Sequence, residues 1–458
     1  MLTAKVIREL ESVVGKEYVI TDDNELIVYE CDGFTKEKHK PEAVVFPADT
    51  EEVADVVKIL YNEKIPFTAR GAGTGLSGGC LAVDGGVIIC LTRMNKIIDV
   101  DFGNRTAVVE PGVINLLISE KISKNGYLFA PDPSSQQVST IGGNVAVNAG
   151  GPHTLKYGST INHVLGVGVV LPDGTIEQFG GKIEDTNGFD ITGLMIGSEG
   201  TLGIITRIII KIIHLPEGYE TFLAVFETMD DATKSCSEII SSGIIPTAME
   251  IIDDVMINAL EKAFEFEFPR NAKAVVVIEI DGIKKGMERM GEKITNICNA
   301  NNTREVKKAK NDDERDLLWL VRKNAFGAIG RIATNYFTND ATVPRTKLPE
   351  MLKFINEIGV KYSLTIANTF HAGDGNLHPA VMYDETDAEQ VERAFRASEE
   401  IMKKCVEFGG SISGEHGIGF YKKGFMHWIF SEDDLKFMKN IKKIFDPNRL
   451  CNPGKIFD

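Results

Sequence analysis

The chain has 458 residues and a formal net charge of −16, long enough for about two to four domains with large buried cores. So acidic a composition argues against nucleic acid as a partner, because phosphate binding needs a dense Lys/Arg face, and against docking on anionic lipid by charge alone. Hydrophobic residues at 43% and charged residues at 25% are ordinary for a globular protein, so the feature to follow is the 44 glycines, which gather in a few segments.

Residues 1–9 lack the apolar run of a signal sequence, and the most apolar stretch, 203–215, is cut by Arg207 and Lys211 short of a membrane span. The cysteines (Cys31, Cys80, Cys90, Cys236, Cys298, Cys405, Cys451) are scattered, without a C-x-x-C pair, and read as reduced core thiols. These features predict a cytoplasmic protein with no metal cluster of its own.

In chain order, an amphipathic start (2–14) leads to a strand over 41–47. Asp49-Thr50-Glu51-Glu52 caps a helix over 53–63, whose Val53, Val56, Val57 and Leu60 recur at helical spacing. Strands are expected at 65–69, 87–91 and 106–110, then a helix over 113–125, a long turn-rich stretch over 130–158, and strands at 163–171 and 202–213. Beyond Pro216 the texture changes to an α+β sheet domain. Its expected strands are 221–226, 247–252, 274–280 and 364–370, and its helices 230–241, 312–328, 347–358 and 388–408, the last ending at Gly409-Gly410.

Three glycine-rich turns fall between strands of the first half. Arg70-Gly71-Ala72-Gly73-Thr74-Gly75-Leu76-Ser77-Gly78-Gly79 follows a strand and suits a curled backbone that points several N–H groups at an anion. It is neither a P-loop, lacking the Lys-Ser/Thr, nor a Rossmann fingerprint, since Asp84 comes too soon. The second runs through Pro131-Asp132-Pro133-Ser134, Ser139-Thr140-Ile141-Gly142-Gly143-Asn144, Asn148-Ala149-Gly150-Gly151 and Tyr157-Gly158. The third is Ser198-Glu199-Gly200-Thr201-Leu202-Gly203-Ile204. Together they suit a large ligand laid along loop edges.

These segments, in this order, resemble the FAD-binding domain of the vanillyl-alcohol oxidase / p-cresol methylhydroxylase (PCMH) superfamily, and within it the D-lactate dehydrogenase and glycolate oxidase catalytic-subunit branch, from Pro41 to the C-terminus. The resemblance implies an α+β protein. A two-subdomain PCMH-type FAD-binding domain would span 1–216, and an α+β substrate (cap) domain with an antiparallel sheet and a metal site 217–419. A C-terminal segment, 420–458, would return to the flavin. By the same resemblance, Arg70, Gly71, Ala72, Gly73, Thr74, Gly75, Gly78, Pro131, Asp132, Pro133 and Ser134 would hold the pyrophosphate. Ser139, Gly142, Asn144, Asn148, Gly151, Tyr157, Glu199, Gly203 and Ile204 would line the cofactor, and Asn452 would come back near the isoalloxazine. Relatives with covalent FAD often carry a His where this chain has Thr74, so non-covalent FAD is expected.

The most chemically loaded line is Phe370-His371-Ala372-Gly373-Asp374-Gly375-Asn376-Leu377-His378, followed by Ser413-Gly414-Glu415-His416-Gly417. A strand ending at His371, a turn and a return at His378 put both imidazoles on one side. With Glu415 they form a His₂-carboxylate set suited to one divalent metal: Zn, Fe or Mn. In the resembling 2-hydroxy-acid dehydrogenases, positions matching these three bind the metal, the position matching His416 is the base, and that matching Arg322 grips the substrate carboxylate. Thr338 and Phe326 stand where the 2-hydroxyglutarate branch has polar residues, which points to a small monocarboxylate.

The expected reaction is therefore oxidation of a D-2-hydroxy acid, D-lactate favoured, to the 2-oxo acid. Electrons would pass to a protein acceptor such as an electron-transfer flavoprotein or another redox subunit, since neither an NAD fingerprint nor a cluster is found. The alternative is a glycolate or D-2-hydroxyglutarate dehydrogenase working with a quinone or an iron–sulfur subunit. Two other classes, a metal hydrolase and a non-catalytic flavin subunit, are separated from this reading by the colour of the protein and by whether substrate bleaches it.

Overall fold

The computed structural model describes residues 2–183, 188–264 and 271–457. They fall into two compact units, the first made of Met1–Gly151, Gly158–Leu215 and Glu415–Asp458, the second of Pro152–Tyr157 and Pro216–Gly414.

The first unit holds two principal sheets. In the smaller one, Phe67–Arg70, Val87–Cys90 and Ala43–Val45 run parallel, with Val19–Ile20 antiparallel at one edge. The Val87–Cys90 strand is buried along its whole length, which is why it reads as an unbroken apolar run. The helix Thr50–Asn62 starts where Asp49 accepts from the Glu52 N–H at 2.9 Å, and its Val53, Val56, Val57 and Leu60 enter a core shared with Val45, Phe67 and Ile89. At the opposite edge the C-terminal segment is paired on, Phe67 donating to the Leu450 carbonyl and Asn452 to that of Phe67.

The larger sheet of this unit is antiparallel, in the order Ile97–Asp101, Thr106–Val109, Ile204–Lys211, Val164–Val170, Ile176–Gly180. Its two outer strands are largely exposed and mix charged or amide residues with apolar ones (Asp99 and Asp101 in one, Glu177 and Gln178 in the other), so they lack the long apolar run by which the inner three are recognised. The stretch expected as turns over 130–158 instead contains the helix Ile141–Val147. It begins at the Thr140 cap and is stopped by Asn148 in the left-handed conformation, a length too short for periodicity to reveal.

The second unit is built on one eight-stranded antiparallel sheet. The order is Glu305–Lys308, Gly218–Phe226, Ala274–Gly282, Ala248–Asp253, Ile366–His371, Asn376–Tyr383, Asn335–Thr338, with Ala341–Thr342 also paired to Asn376–Tyr383. One face is divided. Its apolar part, with Leu223, Val225, Ile252, Val275, Val277, Ala367, Ala380 and Met382, packs against the helices Asp254–Phe264 and Ala325–Ile329. Its other part is polar and forms the candidate site. The single helix expected over 312–328 is two, Asp312–Lys323 and Ala325–Ile329, because Asn324 caps the first while donating back to the Leu320 carbonyl.

Burial of Leu60 at 0% exposure gives this architecture a direct check. Leu60→Ala should destabilise the first unit by about 2–5 kcal/mol, because the cavity it leaves cannot fully collapse. Urea unfolding followed by far-UV dichroism should show an earlier midpoint for the first unit, and an unchanged midpoint would place Leu60 outside the core.

Candidate active site

Strand register decides which side chains meet on the polar part of the divided face. Residues directly opposite across an antiparallel pair share a face, as do residues two apart along a strand. His371 lies opposite both Glu250 and Asn376, and His378 lies opposite Thr369. The two histidines are therefore diagonal neighbours, with ring centroids 5.1 Å apart and planes nearly perpendicular at 89°. Both are 3% exposed.

Glu250, fully buried, is divided between two partners. One oxygen lies 2.6 Å from His371 Nδ1 and the other accepts from Arg322 Nε at 2.6 Å. Burial alone would push this carboxyl up, but the His371 and Arg322 charges beside it hold it below its ordinary value. His378 turns its Nδ1 toward the Asn339 carbonyl at 3.4 Å. On both rings Nδ1 is committed to the protein, which orients Nε2 as the nitrogen for a ligand.

A second buried carboxylate, Glu279, lies on the same face. It accepts a two-pronged bond from Arg315 (2.8 and 2.9 Å), one from Trp319 Nε1 (2.7 Å) and one from Thr221 Oγ1 (2.6 Å), with His153 Nε2 at 3.6 Å. Burial works against its ionisation, yet His153, Arg315 and Thr221 hold its pKa down at about 2. Arg315, Trp319 and Arg322 are spaced i, i+4, i+7 on the helix Asp312–Lys323, so one stripe of it covers both carboxylates. Further along, Asp281 accepts 2.6 Å from the Tyr157 hydroxyl and is paired with Lys156. Tyr157 thus belongs to the second unit. Burial first, then the Asp281 bond, pushes its phenol up.

The loop before Glu415 is pinned to the same unit. Asp340 accepts from Ser413 Oγ at 2.7 Å and from the Gly414 N–H at 3.0 Å. Gly414 abuts Asn376 so closely that a Cβ would strike its side chain.

In the first unit, the glycine turns converge on the helix Ile141–Val147. Gly71 packs on Thr140, the Gly197 N–H donates to the Val145 carbonyl at 3.0 Å, and the Glu199 N–H to that of Ala146 at 2.8 Å. Gly151 (φ +149°) sits so near the Asp132 carbonyl that no side chain fits, which ties the Pro131-Asp132-Pro133 stretch to the end of that turn. Asn452 Nδ2 donates to the carbonyls of Gly79 (2.9 Å) and Glu199 (2.7 Å). Glu199 in turn accepts from the N–H groups of Ile418 and Gly419, and Ser77 Oγ donates to the His416 and Gly417 carbonyls. Ala72, Gly75 and Ser134 are exposed, and Arg70 is turned inward onto the Cys31 carbonyl.

The chemistry of this cradle suits FAD. Ser139 Oγ and Asn144 Nδ2 are buried at the start of that helix without a hydrogen-bond partner in the protein, polar atoms that a ligand's polar edge would satisfy. Sequence reasoning missed Glu250 and Glu279. The available signal was a carboxylate inside an otherwise apolar strand, Met249-Glu250-Ile251 and Ile278-Glu279-Ile280, since such a residue is buried only when it is bonded.

Comparison with known proteins places the chain among flavoproteins. Residues 41–180 match the model of an FAD binding domain and residues 215–456 that of the C-terminal domain of FAD linked oxidases. The chain is 40% identical to the glycolate oxidase subunit GlcD of Escherichia coli (strain K12), covering 97% of this chain and 89% of that protein. It is 31% identical to a D-lactate dehydrogenase of Anaerostipes hadrus, covering 99% and 98%. Among solved structures, p-cresol methylhydroxylase with bound substrate superposes with a TM-score of 0.81 at 18% identity, over 99% of this chain and 96% of that one. The fold is thus the α+β PCMH type. No helix among the described residues is long and apolar enough to cross a membrane.

Glu199 offers a pH test of the cradle. Burial raises its pKa to about 7, above the ordinary 4.5, although the Ile418 and Gly419 N–H groups pull the other way. A carboxyl raised on folding contributes stability that is complete below the unfolded value and lost as pH climbs through the folded one. The melting temperature of the wild type should therefore fall between pH 4.5 and 7 by a component that Glu199→Gln lacks. Parallel curves for the two proteins would remove Glu199 from this role.

Proposed function

Because the chain belongs to the family of FAD-linked oxidases, we propose that it oxidises a small D-2-hydroxy acid, D-lactate foremost, and passes the electrons to a protein acceptor such as an electron-transfer flavoprotein. The observation that carries this reading is the placement of Glu250 between His371 and Arg322 on one sheet face, the imidazole we propose as a metal ligand and the guanidinium we propose for the substrate carboxylate.

The substrate carboxylate would be taken by Arg322. Its Nε is used by Glu250, which leaves the two terminal nitrogens to form a fork with an incoming carboxylate. A divalent metal would be held by Nε2 of His371 and His378 with the Glu415 carboxylate, and when bound would supply the Lewis acidity that lowers the pKa of a substrate hydroxyl by several units. His416 then accepts the hydroxyl proton at a ring nitrogen, a task suited to an imidazole near neutral pH. FAD, when bound, would supply the hydride acceptor that this oxidation to the 2-oxo acid requires. With Thr74 in the first loop, we assign the FAD as non-covalent. The division of labour is then FAD binding in 1–216, substrate and metal in 217–419, and a C-terminal segment, 420–458, that returns to the flavin.

A small substrate is supported by the wall beside His378. Phe326 meets that ring edge-on at 6.3 Å and lies parallel to Tyr336 at 6.1 Å, while Thr338 sits on the adjoining strand opposite Ala380. These groups suit a methyl and supply no cation for a second carboxylate. Glycolate is the second reading, favoured by the 40% identity to a protein named as a glycolate oxidase subunit.

Anaerobic addition of D-lactate should bleach the flavin of the purified protein, with glycolate and D-2-hydroxyglutarate as comparisons. A flavin that stays yellow with all three contradicts the proposal, and full-speed turnover with oxygen contradicts the protein acceptor. His416→Ala should keep its FAD while reduction slows by about 10²–10⁴-fold. Bleaching at the wild-type rate in that variant would remove His416 from the base role. His371→Ala should lose bound metal by elemental analysis, and unchanged metal would exclude it as a ligand.

A further inference from the structure

We propose that Glu279 is a positioning residue for substrate recognition: it clamps the helix Asp312–Lys323 through Arg315 and Trp319, so that Arg322, on the same stripe, presents its free guanidinium edge to the substrate carboxylate. The inference rests on the assignment of Arg322 made above and extends it to residues that touch no substrate.

The geometry carries it. The helix is held to the sheet face by three of its side chains. Arg315 and Trp319 converge on Glu279 with bonds of 2.7–2.9 Å, and Arg322 reaches Glu250 at 2.6 Å. Both carboxylates project from the centre of a rigid sheet, Glu279 opposite Ala248 and Glu250 two residues beyond it. Two fixed anchors under one helical stripe set both the rotation and the axial position of the helix. With only the Glu250 bond, Arg322 would be free to swing about a single contact.

A role in stability alone does not account for this arrangement. A fully buried carboxylate with several donors gives up much hydration, and an apolar set of similar volume commonly holds a fold at least as well. What a network of directional bonds adds is a single arrangement of the groups it connects. The network also extends away from the helix. His153 lies 3.6 Å from Glu279 and 5.5 Å from the Trp319 ring, so the segment Pro152–Tyr157 rests on the same carboxylate. Glu279 is thereby connected to the Arg322 helix on one side and to the segment Pro152–Tyr157 on the other.

The test uses the FAD-loaded full chain. Glu279→Gln keeps the size and one acceptor but removes the charge that Arg315 grips. Arg315→Gln removes the other side of the same pair. Each should raise KM for D-lactate about tenfold while changing kcat less than about threefold, the pattern of weakened ground-state binding. The double variant should be no worse than either single one, because both changes break one interaction. Trp319→Phe, which removes only the indole N–H donor, should show a smaller rise in KM. FAD content and melting temperature are measured on each variant. If Glu279→Gln does not fold, Arg315→Gln and Trp319→Phe carry the same test. An unchanged KM in a folded, FAD-loaded variant, or a fall in kcat with KM unaltered, overturns the proposal. Failure of the wild type to be reduced by any 2-hydroxy acid overturns the functional assignment itself, and is recognised before any variant is made.

Discussion

A carboxylate taken out of water must find donors or be neutralised, and this constraint organises the second unit. Glu250 and Glu279 sit at 0% exposure in the middle of an eight-stranded sheet. Each is tolerated because cationic and N–H donors close around it. Those donors come from one helix stripe, Arg315, Trp319 and Arg322, and from Thr221 and His371 on adjoining strands. The need to satisfy two buried charges therefore dictates where the helix lies, which way Arg322 points and which nitrogen of His371 is occupied. The remaining edges of those groups make up the proposed chemistry.

The first unit answers a different physical problem, how to bring backbone N–H groups and small polar side chains to the edge of a long ligand. Its three glycine turns meet around the short helix Ile141–Val147, and the C-terminal segment is bonded into the same place through Asn452 and the Phe67 strand. Close backbone approach, as at Gly151 against Asp132, is what those glycines permit. The match to an FAD binding domain over residues 41–180 covers the first two of these turns.

Much of the architecture was legible from pattern alone. The capped helix after Asp49, the buried strand ending at Arg70, and the hairpin that puts His371 and His378 on one side all stand out because periodicity, caps and turn residues agree. Elements too short or too mixed in composition for a clear period did not: the exposed outer strands Ile97–Asp101 and Ile176–Gly180, and the brief helix Ile141–Val147. Nor does linear order disclose partners. Tyr157 lies among residues expected to meet the cofactor, but its hydroxyl is bonded to Asp281, more than a hundred residues further along the chain. Glu250 and Glu279 carried a visible warning in their apolar flanks, yet the identity of their donors is a consequence of sheet register and helix placement, which no local window contains.

The account turns on a single carboxylate serving both a proposed metal ligand and a proposed substrate anchor, and Glu250→Gln separates that from two independent arrangements. Bound metal, FAD content and the KM for D-lactate should be measured on one preparation of the variant. The account predicts that metal content falls and KM rises together while FAD stays at the wild-type level. Metal and KM both at wild-type values, or one changing while the other holds, would contradict it.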